Sequence, residues 1–172
     1  MTRNTASPLW TLIENERRAL VDDLAGADET TLATASDLDG WTAKHVLAHL
    51  VMPFAVPTPR FLLAMLRRRG DLDAVNRFFA DRLVERPTAE LIGHLADNAG
   101  SQWTPPGYGP ELPLAEIAVH AQDIRAVLGL RRTVSDDVRS AVLDFAGADE
   151  KEGAARRADY ARRLDAAAAI TH

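Results

Sequence analysis

Apolar residues recur at helical spacing along most of this chain, and that periodicity limits its fold more than any other feature. Between Leu9 and Leu32 the apolar positions are separated by charged ones, which predicts a first amphipathic helix that ends near Ala33. No alternating run of apolar and polar residues, enriched in β-branched side chains, is long enough to predict a strand. The sequence therefore predicts an all-α fold.

Capping residues and prolines divide the rest of the chain into helices. Helices are predicted after a Thr42 cap, over 60–69, over 72–98 with an interruption at Pro87, from about Pro113 to Gly129, and over 136–145 after a Ser135 cap. Pro53 cannot donate an amide to the carbonyl of His49. Because further prolines follow, the second helix should kink or break between Met52 and Thr58. Four long helices joined by short connections predict a four-helix bundle.

Composition predicts one helical unit followed by a polar segment. We expect residues 1–148 to form the bundle, and residues 149–172, which are rich in alanine and arginine, to form an additional C-terminal helix or a tail. The clearest loop runs from Trp103 to Pro110, where proline and glycine together prevent regular structure. Its position before the helix at Pro113 leaves two interpretations open, a pocket rim or an ordinary connection.

Composition also excludes several classes of function. The 172 residues include no cysteine, which excludes a disulfide framework and a nucleophilic protein thiol, so any thiol chemistry must use a thiol from outside. The net charge is -5, and the one compact basic run, Arg67 to Arg69, is typical of a solvated helix end, so we expect no nucleic-acid partner. Met1 to Pro8 lacks the apolar core of a signal peptide, and no apolar run is long enough for a membrane span. We therefore expect a cytoplasmic protein without a membrane partner.

Two potential metal ligands share one face of the predicted helix that begins near Pro113. Glu116 and His120 are four residues apart, so their side chains lie one turn apart on the same side, with a rise of about 6 Å between them. Asp123 and Arg125 follow in a segment otherwise built from core residues. Burying such polar groups without partners is costly, which indicates that they have a defined role.

A second histidine lies in a different apolar helix. His49 is flanked by aliphatic residues, at a position where a plain core residue is ordinarily aliphatic too. If the two helices are neighbours, His49, Glu116 and His120 make a set that zinc binds at about 2.0 to 2.2 Å per ligand, with a position left open for water or substrate. Ligand type alone leaves nickel, iron and manganese open. Asp123 is then expected to orient a ligand or a bound molecule.

Each of these residues also has a structural interpretation. A lone histidine in an apolar helix is often a hydrogen-bonded core residue, and a glutamate followed four positions later by a histidine often occurs by chance. His45, one turn before His49, is a fourth ligand or, in the interpretation we favour, a solvent-facing residue of the first helical turn. His94 has no carboxylate at a telling spacing and His172 is the last residue, so both are expected to be uninvolved.

Two short motifs occur about seventy residues apart. The first is Gly40-Trp41-Thr42 followed by Val46-Leu47-Ala48-His49-Leu50, and the second is Glu116-x3-His120-x2-Asp123-Ile124-Arg125 followed by Leu128-Gly129. Together they resemble the mycothiol-dependent maleylpyruvate isomerase family of the DinB-like four-helix superfamily, over roughly residues 9–145.

The resemblance implies a DinB-like bundle in which His49, Glu116 and His120 bind a divalent metal, usually zinc. It further implies that the metal activates a low-molecular-weight thiol, mycothiol, for isomerisation of a small electrophile or S-transfer to it. A cation beside a thiol lowers its pKa, which suits a protein without cysteine of its own. The arginine-rich, lysine-poor composition fits an actinobacterial source, where mycothiol is the expected thiol.

Two features depart from the family pattern. Lys44-His45 replaces the acidic residue that is usual in the first turn after the threonine cap, which predicts that the capping box is lost. Family members that isomerise maleylpyruvate carry a further C-terminal domain, which these 172 residues do not include, so we expect a different substrate.

Three hypotheses about function follow. The first is a metal-dependent thiol transferase or isomerase in which Asp123 and Arg125 support the site, with Arg125 paired either to a carboxylate of a bound molecule or, as we favour, to Asp123. The second is a non-catalytic module that binds a small molecule or a metal. The third is a helical dimerisation domain in which His49, Glu116 and His120 satisfy one another by hydrogen bonds. Bundles of this kind often pair through a helical face, which leaves a homodimer open.

Overall fold

The computed structural model describes residues 7–38 and 40–170, and within these ranges regular structure is helical apart from one isolated bridge between Ala35 and Thr42. The helices of this part are α1 (Pro8–Asp23), α2 (Glu29–Leu32), α3 (Ala43–Ala55), α4 (Thr58–Arg67), α5 (Leu72–Leu83), α6 (Thr88–Asp97), α7 (Glu111–Val127), α8 (Asp136–Gly147) and α9 (Gly153–Ala166). The predicted all-α fold class is confirmed. The predictions made for the first six residues and for His172 lie outside the described ranges.

Four of the helices surround a common apolar core. α7 packs against α1 and α3, and α6 packs against the same two helices, so the four close a ring around the buried side chains. α5 adds to the outside of α3, while α8 and α9 pack on α7 and on each other. This arrangement agrees with the predicted four-helix bundle, and it makes α3 and α7 neighbours.

The first helix is shorter than predicted. α1 ends at Asp23, and the separate short helix α2 covers Glu29–Leu32. Gly26 takes a φ of 84°, which glycine adopts without strain, and the Asp28 side chain caps the start of α2. The prediction of one helix to about Ala33 is therefore wrong, because a left-handed glycine turn interrupts it.

Helix α3 begins with a complete capping box. The Thr42 side chain accepts a hydrogen bond from the His45 amide, and His45 Nδ1 accepts one from the Thr42 amide at 3.3 Å. The prediction that Lys44-His45 abolishes the capping box is wrong, because an imidazole nitrogen takes the place of the usual carboxylate oxygen. His45 is thereby held at the start of the helix, one turn before His49.

Prolines separate the helices where predicted. α3 continues through Pro53 as far as Ala55, and Val56 is extended before Pro57. The axis of α4 is bent by 116° from that of α3. Pro87 likewise separates α5 from α6. No single described helix is long and apolar enough to cross a membrane, although α3 and α4 pass that test of length and composition when they are counted together.

Helix α7 is buried along most of its length and is flanked by the C-terminal helices. It begins at Glu111, slightly before the predicted start, and Gly129 follows its end with a φ of 69°, as predicted for a helix stop. A Cβ on Gly153 would lie 2.7 Å from the Gly147 carbonyl oxygen, so glycine is needed where α9 approaches α8. α9 carries the buried Leu164. The division of the chain after residue 148 stays a prediction.

Candidate metal centre

Three side chains from two neighbouring helices converge at one point. His49 comes from α3, and Glu116 and His120 lie one turn apart on α7. The distance from Glu116 Oε2 is 2.8 Å to His49 Nε2 and 3.5 Å to His120 Nε2. One ligand atom of each residue lies within 4.8 Å of the other two. The structure therefore brings together the three residues that the spacing and the resemblance nominated.

The surroundings of the cluster restrict how its rings can turn. The imidazoles of His49 and His120 meet edge to face with their centres 5.0 Å apart, and the Trp41 ring lies 5.7 Å from His49. The His49 side chain is 9% exposed and that of His120 is 15% exposed, whereas Glu116 is 34% exposed. Glu116 is thus the member of the cluster that a bound molecule could reach most easily.

A buried ion pair supports His120 from the side opposite Glu116. Asp123 Oδ2 lies 3.0 Å from His120 Nδ1, and the same carboxylate accepts from both Nε and Nη2 of Arg163 on α9, with Nε at 3.0 Å. An ionised carboxylate only accepts hydrogen bonds, so the contact with Asp123 is a hydrogen bond when Nδ1 of His120 carries a proton. Arg163 Nη2 also lies 3.0 Å from this Nδ1, and Nε2 is directed at Glu116. Arg163 in turn fixes Asp123, and the C-terminal helix becomes part of the site.

The same contacts shift the protonation of the cluster. Burial by itself lowers the pKa of His120, but its hydrogen bonds to Asp123 and Glu116 outweigh burial and raise the pKa to about 9. Burial by itself raises the pKa of Glu116, yet the hydrogen bonds and charges of His120 and His49 hold it well below its usual range. Hydrogen bonds from His120 and Arg163 likewise overcome burial and lower the pKa of Asp123. In the absence of a metal, His120 is therefore held between Glu116 and Asp123 as a set of ion pairs.

Arg125, predicted to support the site, lies on the other side of α7. Its guanidinium donates to Asp23 at 2.7 Å and to Gln122 at 3.0 Å, and its side chain is fully buried. The favoured pairing of Arg125 with Asp123 is wrong, because residues two positions apart point to nearly opposite sides of a helix. The guanidinium partner of Asp123 is Arg163.

A cavity of about 170 Å³ opens beside His49 and Glu116. Most of its lining is apolar and comes from α3, α4, the start of α7 and the proline-rich loop. Trp103, Pro105 and Pro106 are the loop residues that contribute to it, so this loop forms a rim of the pocket as one of its two interpretations predicted.

The two other histidines that the structure describes, His45 and His94, do not join the cluster. His45 caps α3, and its Nε2 atom lies 3.9 Å from the Asp81 carboxylate. It is therefore neither the solvent-facing residue that we favoured nor a fourth member of the cluster. His94 lies on α6, near Arg86 and Glu90. It is therefore uninvolved in the cluster, as predicted.

Sequence reasoning missed two residues of α9 that reach the site. Arg163 donates hydrogen bonds to Asp123. The pKa of the Tyr160 phenol is raised mainly by burial and, second, by the negative charge of Glu116. One signal was present in the sequence. Tyr160 and Leu164 are large residues four positions apart in a segment otherwise rich in alanine and arginine, which marks an inward face with Arg163 beside it.

Comparison with known proteins identifies the family. The family model described as mycothiol maleylpyruvate isomerase N-terminal domain matches residues 13–99, which is 87 of the 172 residues. The match contains His49 and ends before Glu116 and His120. No curated protein and no solved structure matches the chain. With half of its length matched, the chain belongs to the mycothiol maleylpyruvate isomerase N-terminal domain family.

Proposed function

We propose that this protein is a metal-dependent enzyme that activates a low-molecular-weight thiol, mycothiol, toward a small electrophile. The proposed ligands are His49, Glu116 and His120, and the proposed ion is zinc. The proposed reaction is isomerisation of the electrophile or S-transfer to it. Family membership supports the choice of thiol, and the convergence of the three side chains beside an apolar cavity supports the metal.

The spacing of the three ligand atoms carries this proposal. Two ligands of a tetrahedral zinc lie roughly 3.3 Å apart when each bond is about 2.0 to 2.1 Å long. The Glu116 oxygen is 2.8 Å from His49 Nε2 and 3.5 Å from His120 Nε2, and all three atoms lie within 4.8 Å of one another. These separations fit a zinc ion after small movements of the side chains.

The hydrogen bonds around His120 also fit a metal. Histidines that bind metals usually donate their second N–H to a carboxylate or carbonyl, and Asp123 fills this role for His120. His49 Nδ1 is buried without a hydrogen-bond partner among the described residues, so Nε2 makes the polar contact of this ring. His49 therefore departs from this pattern, and the support from hydrogen bonds rests on His120.

The residues around the site suit chemistry on a small molecule that enters the cavity. A divalent metal in this position supplies a positive charge that lowers the pKa of a thiol beside it. The apolar walls exclude water from the bound molecule, while Asp123 and Arg163 prevent His120 from turning. Because the chain has no cysteine, the thiol is a cosubstrate.

Metal content is the first test of the proposal. The parent protein, His120→Ala and His94→Ala are exposed to zinc, desalted and submitted to elemental analysis. We expect about one zinc per chain in the parent and in His94→Ala, which changes a histidine outside the cluster, and little zinc in His120→Ala. Equal zinc in all three proteins, or none in the parent, would leave the triad as a set of structural hydrogen bonds.

Thiol-dependent turnover tests the enzymatic part. The zinc-loaded protein is incubated with mycothiol and a panel of small electrophiles, and loss of free thiol or isomerisation is followed over time. We expect turnover that requires mycothiol and that disappears with His120→Ala or after chelation. Zinc and thiol binding without turnover for any electrophile would favour the non-catalytic module.

A further inference from the structure

One buried arginine lines the cavity without an acidic partner. Arg17 on α1 is 5% exposed and borders the same cavity as His49 and Glu116. The guanidinium forms no ion pair with any described residue, and its Nε and Nη2 atoms have no described hydrogen-bond partner. The nearby carboxylate of Glu14 is bound instead to Arg18, at 2.7 Å.

Two further arginines of low exposure in the described part of the chain are neutralised. Arg125 pairs with Asp23, and Arg163 pairs with Asp123. Arg17 is the exception, and burial lowers its pKa to about 10 although the charge of Glu14 opposes this shift. A buried cation that no described carboxylate contacts is costly, so its retention beside a cavity calls for an anion from outside the chain.

The protein holds the Arg17 guanidinium in one position. Nη1 lies 3.3 Å, 3.1 Å and 2.7 Å from the carbonyl oxygens of Asn98, Ala99 and Ser101, just beyond the end of α6. The Phe54 ring lies 5.0 Å from the guanidinium carbon. These contacts use one nitrogen and one face of the group, which leaves Nε and Nη2 as an edge that matches the two oxygens of a carboxylate.

We propose that Arg17 binds the carboxylate of a small, otherwise apolar monoanion that occupies the cavity and extends toward His49 and Glu116. Among the lining residues that the structure describes, Arg17 is the single arginine or lysine and Glu116 the single acidic residue, which favours one negative charge over two. The 170 Å³ of the cavity suits a molecule of benzene size, since cavities of roughly 150 Å³ hold benzene. This inference names the class of the electrophile and therefore rests on the proposed function for its place in the reaction.

A matched pair of probes isolates the carboxylate. Benzoate and benzamide have nearly the same shape, and only benzoate is charged. Dissociation constants are measured by protein NMR titration of the full chain, first after treatment with a chelator and then loaded with zinc. In the chelated protein we expect benzoate to bind about 10- to 100-fold more tightly than benzamide, as a charge-assisted pair of hydrogen bonds allows.

Two variants assign that preference to a residue. Arg17→Gln removes the charge and keeps an N–H donor for the carbonyls beyond α6, and it should abolish the preference for benzoate. Arg18→Gln, a change at the exposed neighbour that pairs with Glu14, should leave the preference intact. An equal affinity for the two probes in the parent, or a preference that survives Arg17→Gln, overturns the inference.

Two further observations separate this inference from the proposed function. A preference that needs zinc and is lost in His120→Ala means that the carboxylate binds the metal and overturns the role of Arg17. A preference present without zinc upholds it, even if the zinc and turnover experiments fail. If Arg17→Gln does not fold, the Nε–H resonance of Arg17 in the parent decides: benzoate must shift it and benzamide must not, and an unshifted resonance overturns the inference.

Discussion

The Asp123 carboxylate joins the proposed ligand His120 to the C-terminal helix, and Asp123→Asn tests that connection. The side chains of Asp123 and Arg163 are 5% and 12% exposed. Asparagine keeps the size of the side chain but removes the charge, so it is a weaker acceptor for both His120 and Arg163. We expect two separable effects, one on metal affinity and one on the docking of α9.

The size of each effect follows from the contacts. Loss of a carboxylate that orients a metal-binding histidine typically costs about 10- to 100-fold in metal affinity. Breaking a buried ion pair typically costs about 3 to 5 kcal/mol, and the lower end applies here because the asparagine oxygen can still accept a hydrogen bond. At about 2 to 4 °C per kcal/mol for a chain of this length, Tm should fall by roughly 6 to 12 °C.

Zinc affinity is measured by competition with a chromogenic chelator, and stability by thermal unfolding of the chelated protein. Asp165→Asn is the matched control, because Asp165 on α9 makes a comparable two-point contact with Arg139 of α8 but is 58% exposed. The control should cost less than about 1 kcal/mol and leave zinc affinity unchanged. If Asp123→Asn binds zinc as tightly as the parent, Asp123 does not orient a metal ligand and the reasoning is refuted.

Two further predictions concern charged groups on α7. Arg125→Met leaves Asp23 without its buried guanidinium partner and should lower the free energy of unfolding by about 3 kcal/mol. Zinc affinity should fall far less than in His120→Ala, because Gln122 keeps its bonds to the carbonyls of Arg132 and Leu164. A loss of affinity as large as that in His120→Ala would place Arg125 in the site. Folding raises the pKa of His120 from 6.5 to about 9, so protonated His120 stabilises the metal-free protein. This stabilisation is complete below pH 6.5 and is lost as the pH rises through about 9. Tm of the chelated parent protein should fall between these two pH values, and Tm of His120→Gln should not. If Tm depends on pH in the same way in both proteins, the raised pKa of His120 is contradicted.

Local rules in the sequence were sufficient for most of the helices and for the proposed ligands. Proline at 57 and 87 predicts breaks because the missing amide acts within one turn, whereas α3 continues through Pro53. The spacing of Glu116 and His120 predicts a shared face for the same reason. His49 needed one further assumption, that its helix lies beside α7, and the bundle satisfies it.

Other features depend on contacts that local rules do not contain. From the sequence, Gly26 is a glycine tolerated within a helical pattern, and only its positive φ shows that the helix is interrupted there. His45 replaces the usual acidic capping residue, and only the structure shows that its ring nitrogen accepts the capping hydrogen bond. Arg163 is 40 residues from Asp123, and Arg17 is more than 80 residues from the carbonyls that it contacts. Tyr160 and Leu164 mark an inward face beside Arg163, but the sequence does not say which acidic residue this arginine pairs with.

The two polar faces of α7 explain how this helix combines the proposed metal ligands with a buried position. Glu116, His120 and Asp123 follow one another at intervals of four and three residues and lie on one face. On the opposite face, Gln122 donates to the carbonyls of Arg132 and Leu164 and accepts from Arg125, which pairs with Asp23 on α1. That second face fixes the rotation of α7 about its axis, because turning the helix would break hydrogen bonds to α1 and α9 together. The face that carries Glu116 and His120 is therefore directed at His49 by bonds that none of the three proposed ligands makes.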